Sequence, residues 1–295
     1  MRLLYLVFGT NPRNHFQANF SVLSFLRQPA LVAGITVVTD APAFYRHLAA
    51  QVQVLPVDAA QLQEWRGEFD FFWRIKIKAL QAVAERHPNQ ALLYLDSDTF
   101  LHGSLPALAQ RLAQGEAFMH ECEGRLSQLR SKTERRMWQQ VQGRTLGGVA
   151  LHAGHAMWNA GVVGIPAQRA APAAALALRL CDDLSRAQVT PRLIEQFALS
   201  VALAETGPLH PADPYVAHYW STKTEWNEHI AAFLLASHLQ QRTVAEEIAA
   251  LDDFDFRCAP VKKVLSNTHW RMHHLVNRVF PPRSTSYAPD GPPQP

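Results

Sequence analysis

Cysteine is scarce in this 295-residue chain: Cys122, Cys181 and Cys258 are the only three, an odd number without CxxC spacing. That argues against a disulfide framework or a thiolate zinc site and fits a reducing cytoplasm. A dominant charge is lacking too. With 28 Lys and Arg against 25 Asp and Glu the formal charge is +3, too small for a nucleic-acid footprint, so no nucleic-acid partner is expected. No window reaches the roughly 18 apolar residues of a membrane span. The apolar run at residues 3–8 is too short for a signal-peptide core with its cleavage site, and reads as a first strand. The chain is expected to be cytoplasmic, at most peripheral to the inner face of a membrane. No solenoid-period repeat is present. What the chain does have is 48% hydrophobic content, ample for one large α/β domain or two modest ones.

Strand patterns at residues 3–8, 35–39, 52–57 and 91–95 alternate with helical patterns at 17–27, 42–50 and 74–85, a βαβ rhythm that implies a largely parallel sheet. Pro42 suits a first helical turn, and His87-Pro88-Asn89 supplies a turn. After Leu101 the rhythm loosens. A helix is expected at 106–113, but residues 121–148 are rich in Arg, Lys, Gln and Gly with little apolar periodicity, the pattern of an excursion or mobile lid. An apolar strand returns after Asn159, an Ala-rich helix follows at 172–184, and further helices are expected at 194–204, 230–239 and 244–251. Residues 281–295 form a proline-rich tail with a disordered composition.

The most informative stretch is Leu92-Leu93-Tyr94-Leu95-Asp96-Ser97-Asp98, an apolar run ending in two aspartates one residue apart. The run reads as an inner strand covered on both faces. Ligands of open α/β sheets bind beyond the carboxyl ends of the strands, which is where Asp96 and Asp98 emerge. Two carboxylates so close repel each other, and a hard divalent cation such as Mg²⁺ or Mn²⁺ removes the repulsion. An ordinary Asp-Ser turn is the competing explanation. A dehalogenase-type phosphatase places its paired aspartates after the first strand with Thr or Val two residues on; here Phe100 holds that position on a late strand. Just upstream, Arg74 and Lys78 are four apart and share one face of a helix while Lys76 points elsewhere. That face suits a diphosphate, helped by the helix dipole, or simple solvation.

The order of the first strand, Val37-Val38-Thr39-Asp40, the Arg74-x-Lys76 helix, Leu95-Asp96-Ser97-Asp98, Asn159-Ala160-Gly161 and Glu195-Gln196 resembles a GT-A nucleotide-sugar glycosyltransferase, closest to the glycosyltransferase family 8 type, over residues 3–223. The resemblance implies an α/β, Rossmann-like domain with a central mixed, mostly parallel sheet flanked by helices, here residues 1–259. It also implies a nucleoside-diphosphate sugar donor and Mn²⁺ or Mg²⁺ held by Asp96 and Asp98 against the diphosphate, with Ser97 between them in the donor site. By the same resemblance Thr10 and Asp40 read base and ribose, Asn159 hydrogen-bonds the sugar, and Glu195-Gln196 stands beside the reacting carbon. The ordinary counterparts are a β-to-α turn at Thr10, a helix cap at Asp40, a tight turn at Asn159 and a dipole-favoured Glu195. Glu195 also suits a general base if the reaction inverts; the resemblance favours retention. His218 in His218-Tyr219-Trp220-Ser221-Thr222-Lys223 corresponds to the family's third metal ligand and Lys223 to a diphosphate contact, although Ser221 replaces a usual Gly and Lys223 comes one residue early. His120 with Cys122, and His152 with His155, lack a complete ligand set and read as structural.

The implied activity is hexosyl-type sugar transfer to a hydroxyl on a glycan or lipid-linked acceptor, in surface glycan or glycolipid assembly. A sugar-nucleotide nucleotidyltransferase needs an N-terminal Gly-rich loop with Arg and Lys, which Gly9-Thr10-Asn11-Pro12-Arg13 does not supply. A non-catalytic nucleotide-sugar-binding protein is the other alternative. Residues 260–280 mix cations with apolar residues at helical spacing. This pattern suits peripheral membrane contact, and equally a helix packed on the domain with a basic outer face.

Overall fold

The computed structural model describes residues 1–263 together with Met272, Leu275, Val276, Arg278, Val279 and Phe280. Most of the expected 260–280 helix and the 281–295 tail lie outside the described residues. In chain order the regular elements are β1 (Arg2–Val7), α1 (Pro12–Leu26), β2 (Gly34–Thr39), β3 (Gln53–Pro56), α2 (Ala59–Arg66), α3 (Arg74–Arg86), β4 (Leu92–Leu95) and β5 (Thr99–Leu101). Then follow α4 (Leu105–Ala113), β6 (Ala117–Met119), β7 (Cys122–Arg125), α5 (Lys132–Val141), β8 (Thr145–Leu146), β9 (Val149–Ala150), β10 (Ala156–Trp158) and β11 (Val162–Ile165). The last group is α6 (Ala167–Arg186), α7 (Ile194–Glu205), β12 (Leu209–Pro211), β13 (Val216–His218), α8 (Lys223–Leu239) and α9 (Val244–Ala250).

Strand alternation divides the interior into two cores. Leu3, Tyr5 and Val7 of β1 face one core with Leu93 and Leu95 of β4, whereas Leu4, Leu92 and Tyr94 face the other. The seven-stranded sheet runs β12-β6-β11-β4-β1-β2-β3. Pairings among β4, β1, β2 and β3, and between β12 and β6, are parallel, while β11 runs antiparallel to both its neighbours. This is the mixed, mostly parallel sheet expected. Helices α3, α6 and α7 cover one face, and α1, α4, α8 and α9 the other.

Several expectations change. The segment expected at 42–50 as a helix is a 3₁₀ helix, Pro42–Leu48. Residues 121–148 do not form an open excursion: α5 starts with a capping box of Ser131 and Glu134 and buries Met137 and Val141, four residues apart, in the core. Pro172 does not open α6 but sits exposed within it, past the first turn, where it has no N–H to give the carbonyl of Gln168.

Candidate active site at the carboxyl end of the central strands

Asp96 and Asp98 occupy the turn between β4 and β5, at the crevice edge where the β11-β4 pairing ends. The turn is tied down by its backbone. Asp96 N donates to Gly161 O at 2.8 Å, Tyr219 N donates to Asp98 O at 3.0 Å, and Thr99 Oγ1 donates to Asp96 O at 2.8 Å. Antiparallel pairing of β13 with β5 sets His218 opposite Thr99. Three ligand atoms, one each from Asp96, Asp98 and His218, thereby lie within 4.8 Å of one another.

These residues fit a divalent cation. His218 Nδ1 lies 3.2 Å from Asn159 Oδ1, an oxygen that only accepts, so Nδ1 carries the proton and the Nε2 lone pair faces Asp98 Oδ2 at 3.4 Å and Asp96 Oδ2 at 3.9 Å. A Cβ on residue 161 would stand 2.1 Å from the His218 ring, which is why glycine is needed there. Asp98 is 2% exposed. Lys223 Nζ approaches its Oδ2 at 3.0 Å, yet the angles leave that oxygen without a hydrogen bond. Burial opposes ionisation of Asp98, but His218, when its Nε2 carries a proton in place of a metal, and Lys223 outweigh it and hold the carboxyl well below the usual carboxylate range.

Lys76 is the main residue that the sequence reading missed. It points away from the Arg74–Lys78 face, as expected, and that direction leads inward. Its Nζ lies 3.1 Å from Glu195 Oε1 and 3.5 Å from Asp96 Oδ1, donates to Ala160 O at 3.1 Å, and stands 4.9 Å from the centre of the Tyr94 ring. Burial lowers the Lys76 pKa, but the Asp96 and Glu195 carboxylates outweigh it and the net shift is upward. Burial also raises Glu195, against the opposing pull of Lys76. Tyr94 donates its hydroxyl to Asp96 Oδ1 at 2.6 Å. The signal available in the sequence was the helical spacing that sets Lys76 on one face with Ala79, Leu80 and Val83.

Arg74 and Lys78 are engaged elsewhere. The Arg74 guanidinium forms a two-pronged pair with Asp182 of α6, at 2.6 and 3.1 Å, and Lys78 Nζ donates to Gln81 Oε1 at 2.9 Å. Neither joins the Asp96–Asp98 cluster, because the helix presents its 76–79–80–83 face to the sheet. The remaining candidates flank the cluster. Asp40 Oδ1 accepts from Gly9 N at 2.8 Å, shaping the exposed turn that holds Thr10. Ser97 Oγ donates to Gln17 Oε1 at 3.1 Å. A cavity of about 210 Å³ runs from Phe8, Phe72 and Trp73 to Lys76, the two aspartates and Lys223. A second, of about 580 Å³, is lined by Glu123, Asn159, Arg192, Gln196 and Trp220.

A second cluster of His152, His155 and Glu205 also gathers within 4.8 Å. Its imidazoles are engaged, since backbone N–H groups donate to both Nδ1 atoms and His155 Nε2 faces Glu205 at 3.1 Å. With Nδ1 accepting, the proton of His155 sits on Nε2, and the lone pair a metal would need is taken.

No family model matches the chain, and no curated protein sequence matches it. Solved structures do. The galactosyltransferase LgtC, in complex with donor and acceptor sugar analogues, superposes with a TM-score of 0.50 at 12% identity, covering 79% of this chain and 94% of that chain. Mouse xyloside xylosyltransferase 1 in its apo form gives 0.43 at 14% identity over 71% of this chain and 84% of that one. The apo glycosyltransferase GlyE of Streptococcus pneumoniae TIGR4 gives 0.42 at 14%, over 72% and 45%. The fold is thus the GT-A fold of glycosyltransferases.

Proposed function

We propose that the chain is a metal-dependent glycosyltransferase that moves a hexose-type sugar from a nucleoside-diphosphate sugar to a hydroxyl of a glycan or lipid-linked acceptor, in surface glycan or glycolipid assembly. The observation that carries this reading is the Asp96, Asp98 and His218 cluster at the sheet crevice, with the His218 lone pair turned toward both carboxylates. These three residues would hold Mn²⁺ or Mg²⁺, which when bound offsets the charge growing on the leaving diphosphate. Lys223, half-exposed beside Asp98, would reach the same diphosphate. The cavity from Phe8 to Lys76 suits the nucleotide, with Ser97 at its edge and the Asp40-ordered turn carrying Thr10 nearby. Asn159 and Gln196 line the neighbouring cavity, on the side for the sugar and acceptor. Glu195 is paired with Lys76 and 9% exposed, which disfavours a general-base role and supports retention.

A thermal-shift panel of nucleoside-diphosphate sugars, with and without Mn²⁺, tests the reading. One donor is expected to raise the melting temperature only with metal, and Asp98→Ala to abolish that increment. An unchanged metal-dependent shift in Asp98→Ala would sink the assignment. Binding without sugar transfer would leave the non-catalytic alternative, and the anomeric signal of the product in NMR decides retention against inversion.

The same proposal includes peripheral contact with the cytoplasmic membrane face. Met272, Leu275, Val276, Val279 and Phe280 are all exposed at the three- and four-residue spacing of a single helix face, with Arg278 among them. Co-sedimentation with anionic vesicles is expected to fall in a Leu275→Asp, Phe280→Asp double variant; equal binding would refute the contact.

A further inference from the structure

Glu195 and Gln196, consecutive at the start of α7, face opposite ways. Glu195 turns inward to Lys76, whereas Gln196 stands at the cavity wall and donates its Nε2 to Glu123 Oε2 at 3.0 Å. An ionised carboxylate only accepts hydrogen bonds, so this contact admits one orientation of the Gln196 amide: nitrogen on Glu123, carbonyl oxygen away from it. Without such a partner the two ends of a glutamine amide are nearly equal in shape and exchange freely.

The two residues are also held together through the backbone. Glu123 belongs to β7, which pairs with β10 in a register of Gly124 with Met157 and Cys122 with Trp158, shifted by an irregularity between Met157 and Trp158. That shift gives Glu123 no partner of its own across the ladder, the arrangement of a bulge that re-aims a side chain. Strand β10 is fastened in turn to α7, because Trp158 N donates to Ser200 Oγ at 3.0 Å and Ser200 Oγ donates to Gln196 O at 2.7 Å. The main-chain ends of the Glu123–Gln196 pair are thus fixed relative to each other before the side chains meet.

We propose that Glu123 is a positioning residue for Gln196, fixing the amide so that its carbonyl oxygen, and not its NH₂ group, is presented to the cavity shared with Asn159 and Trp220. The catalytic consequence rests on the glycosyltransferase reading: an oxygen beside the reacting carbon stabilises positive charge developing there, and an NH₂ group opposes it. Glu123 lines the same cavity, and the double variant below separates its hold on the amide from any ligand contact of its own.

Two measurements test this. In ¹⁵N-labelled protein the Gln196 side-chain amide signals are identified by their loss in Gln196→Ala. In Glu123→Ala one of those protons is expected to move to the position of a free amide and exchange faster, and unchanged signals would overturn the positioning. With a donor that the wild type turns over, Glu123→Ala is expected to lower kcat by about tenfold to a hundredfold while donor KM stays within about twofold. The double variant with Gln196→Ala should be no slower than Gln196→Ala alone, and multiplicative losses would overturn the proposal. Glu123→Gln keeps the size but can offer either amide end, and should fall between wild type and Glu123→Ala. If the wild type transfers sugar from no donor, the glycosyltransferase reading fails and the amide signals still decide the positioning.

Discussion

Lys76 concentrates more of the site's electrostatics than any other side chain. It is buried between two carboxylates, Asp96 and Glu195, and its ammonium is the cation nearest to Glu195 Oε1, a buried oxygen without a hydrogen bond of good geometry. Removing one partner of a buried charge network leaves the others unpaired in a medium that solvates them poorly. Lys76→Met keeps most of the volume and deletes the charge, so it is expected to lower unfolding stability by about 3–5 kcal/mol in a urea titration. A change within about 0.5 kcal/mol, the range of an ordinary surface substitution, would mean that the carboxylates do not depend on it. The direction of the pKa shifts agrees: both carboxylates pull Lys76 upward against its burial.

At the scale of elements, the Arg74–Asp182 pair clamps α3 to α6. Both side chains are largely shielded and joined by two hydrogen bonds. Asp182→Ala is expected to lower stability by about 1–3 kcal/mol and leave donor affinity in the thermal-shift panel unchanged. A large loss of donor affinity would return Arg74 to the donor site. Elements were legible in the sequence in proportion to the length of their pattern. β1, β2, β4 and α3 each carry a run long enough to show its period, and the turn at Asp96–Asp98 announces itself by its charges. β5, β6, β10, β12 and β13 have three residues each, too few for alternation to be seen, and they are specified by pairing partners far away in the chain. The capping box of Ser131 and Glu134 was readable, but the polar composition around it concealed the core contacts of Met137 and Val141. Lys76 was missed for a related reason: helical spacing shows which residues share a face, but not whether that face meets solvent or a neighbouring strand.

Across the whole molecule, the sheet has a core on each face, and neighbouring residues of one strand serve different cores. Leu3 and Leu4 are both fully buried, Leu3 against α1 and its neighbours and Leu4 on the side of α3 and α6. Because the strand joins the two cores, the described domain is expected to unfold as one cooperative unit. Leu3→Ala and Leu4→Ala should each lower the same transition, by about 2–5 kcal/mol, with circular dichroism and tryptophan fluorescence coincident in both. Separate transitions would show that the faces are independent.

The main-chain hydrogen bonds from Asp96 to Gly161 and from Tyr219 to Asp98 carry an entropic consequence. The three candidate ligands come from two segments far apart in the sequence, 96–98 and 218, yet folding alone brings them together, so the loss of chain freedom needed to assemble the site is already incurred before any ion arrives. A cation captured there has little ordering left to do. Under the proposed reading its binding free energy would go to the anion it shares with Lys223 and not to holding the protein together, the division expected of a receptor that must release its ligand on every cycle.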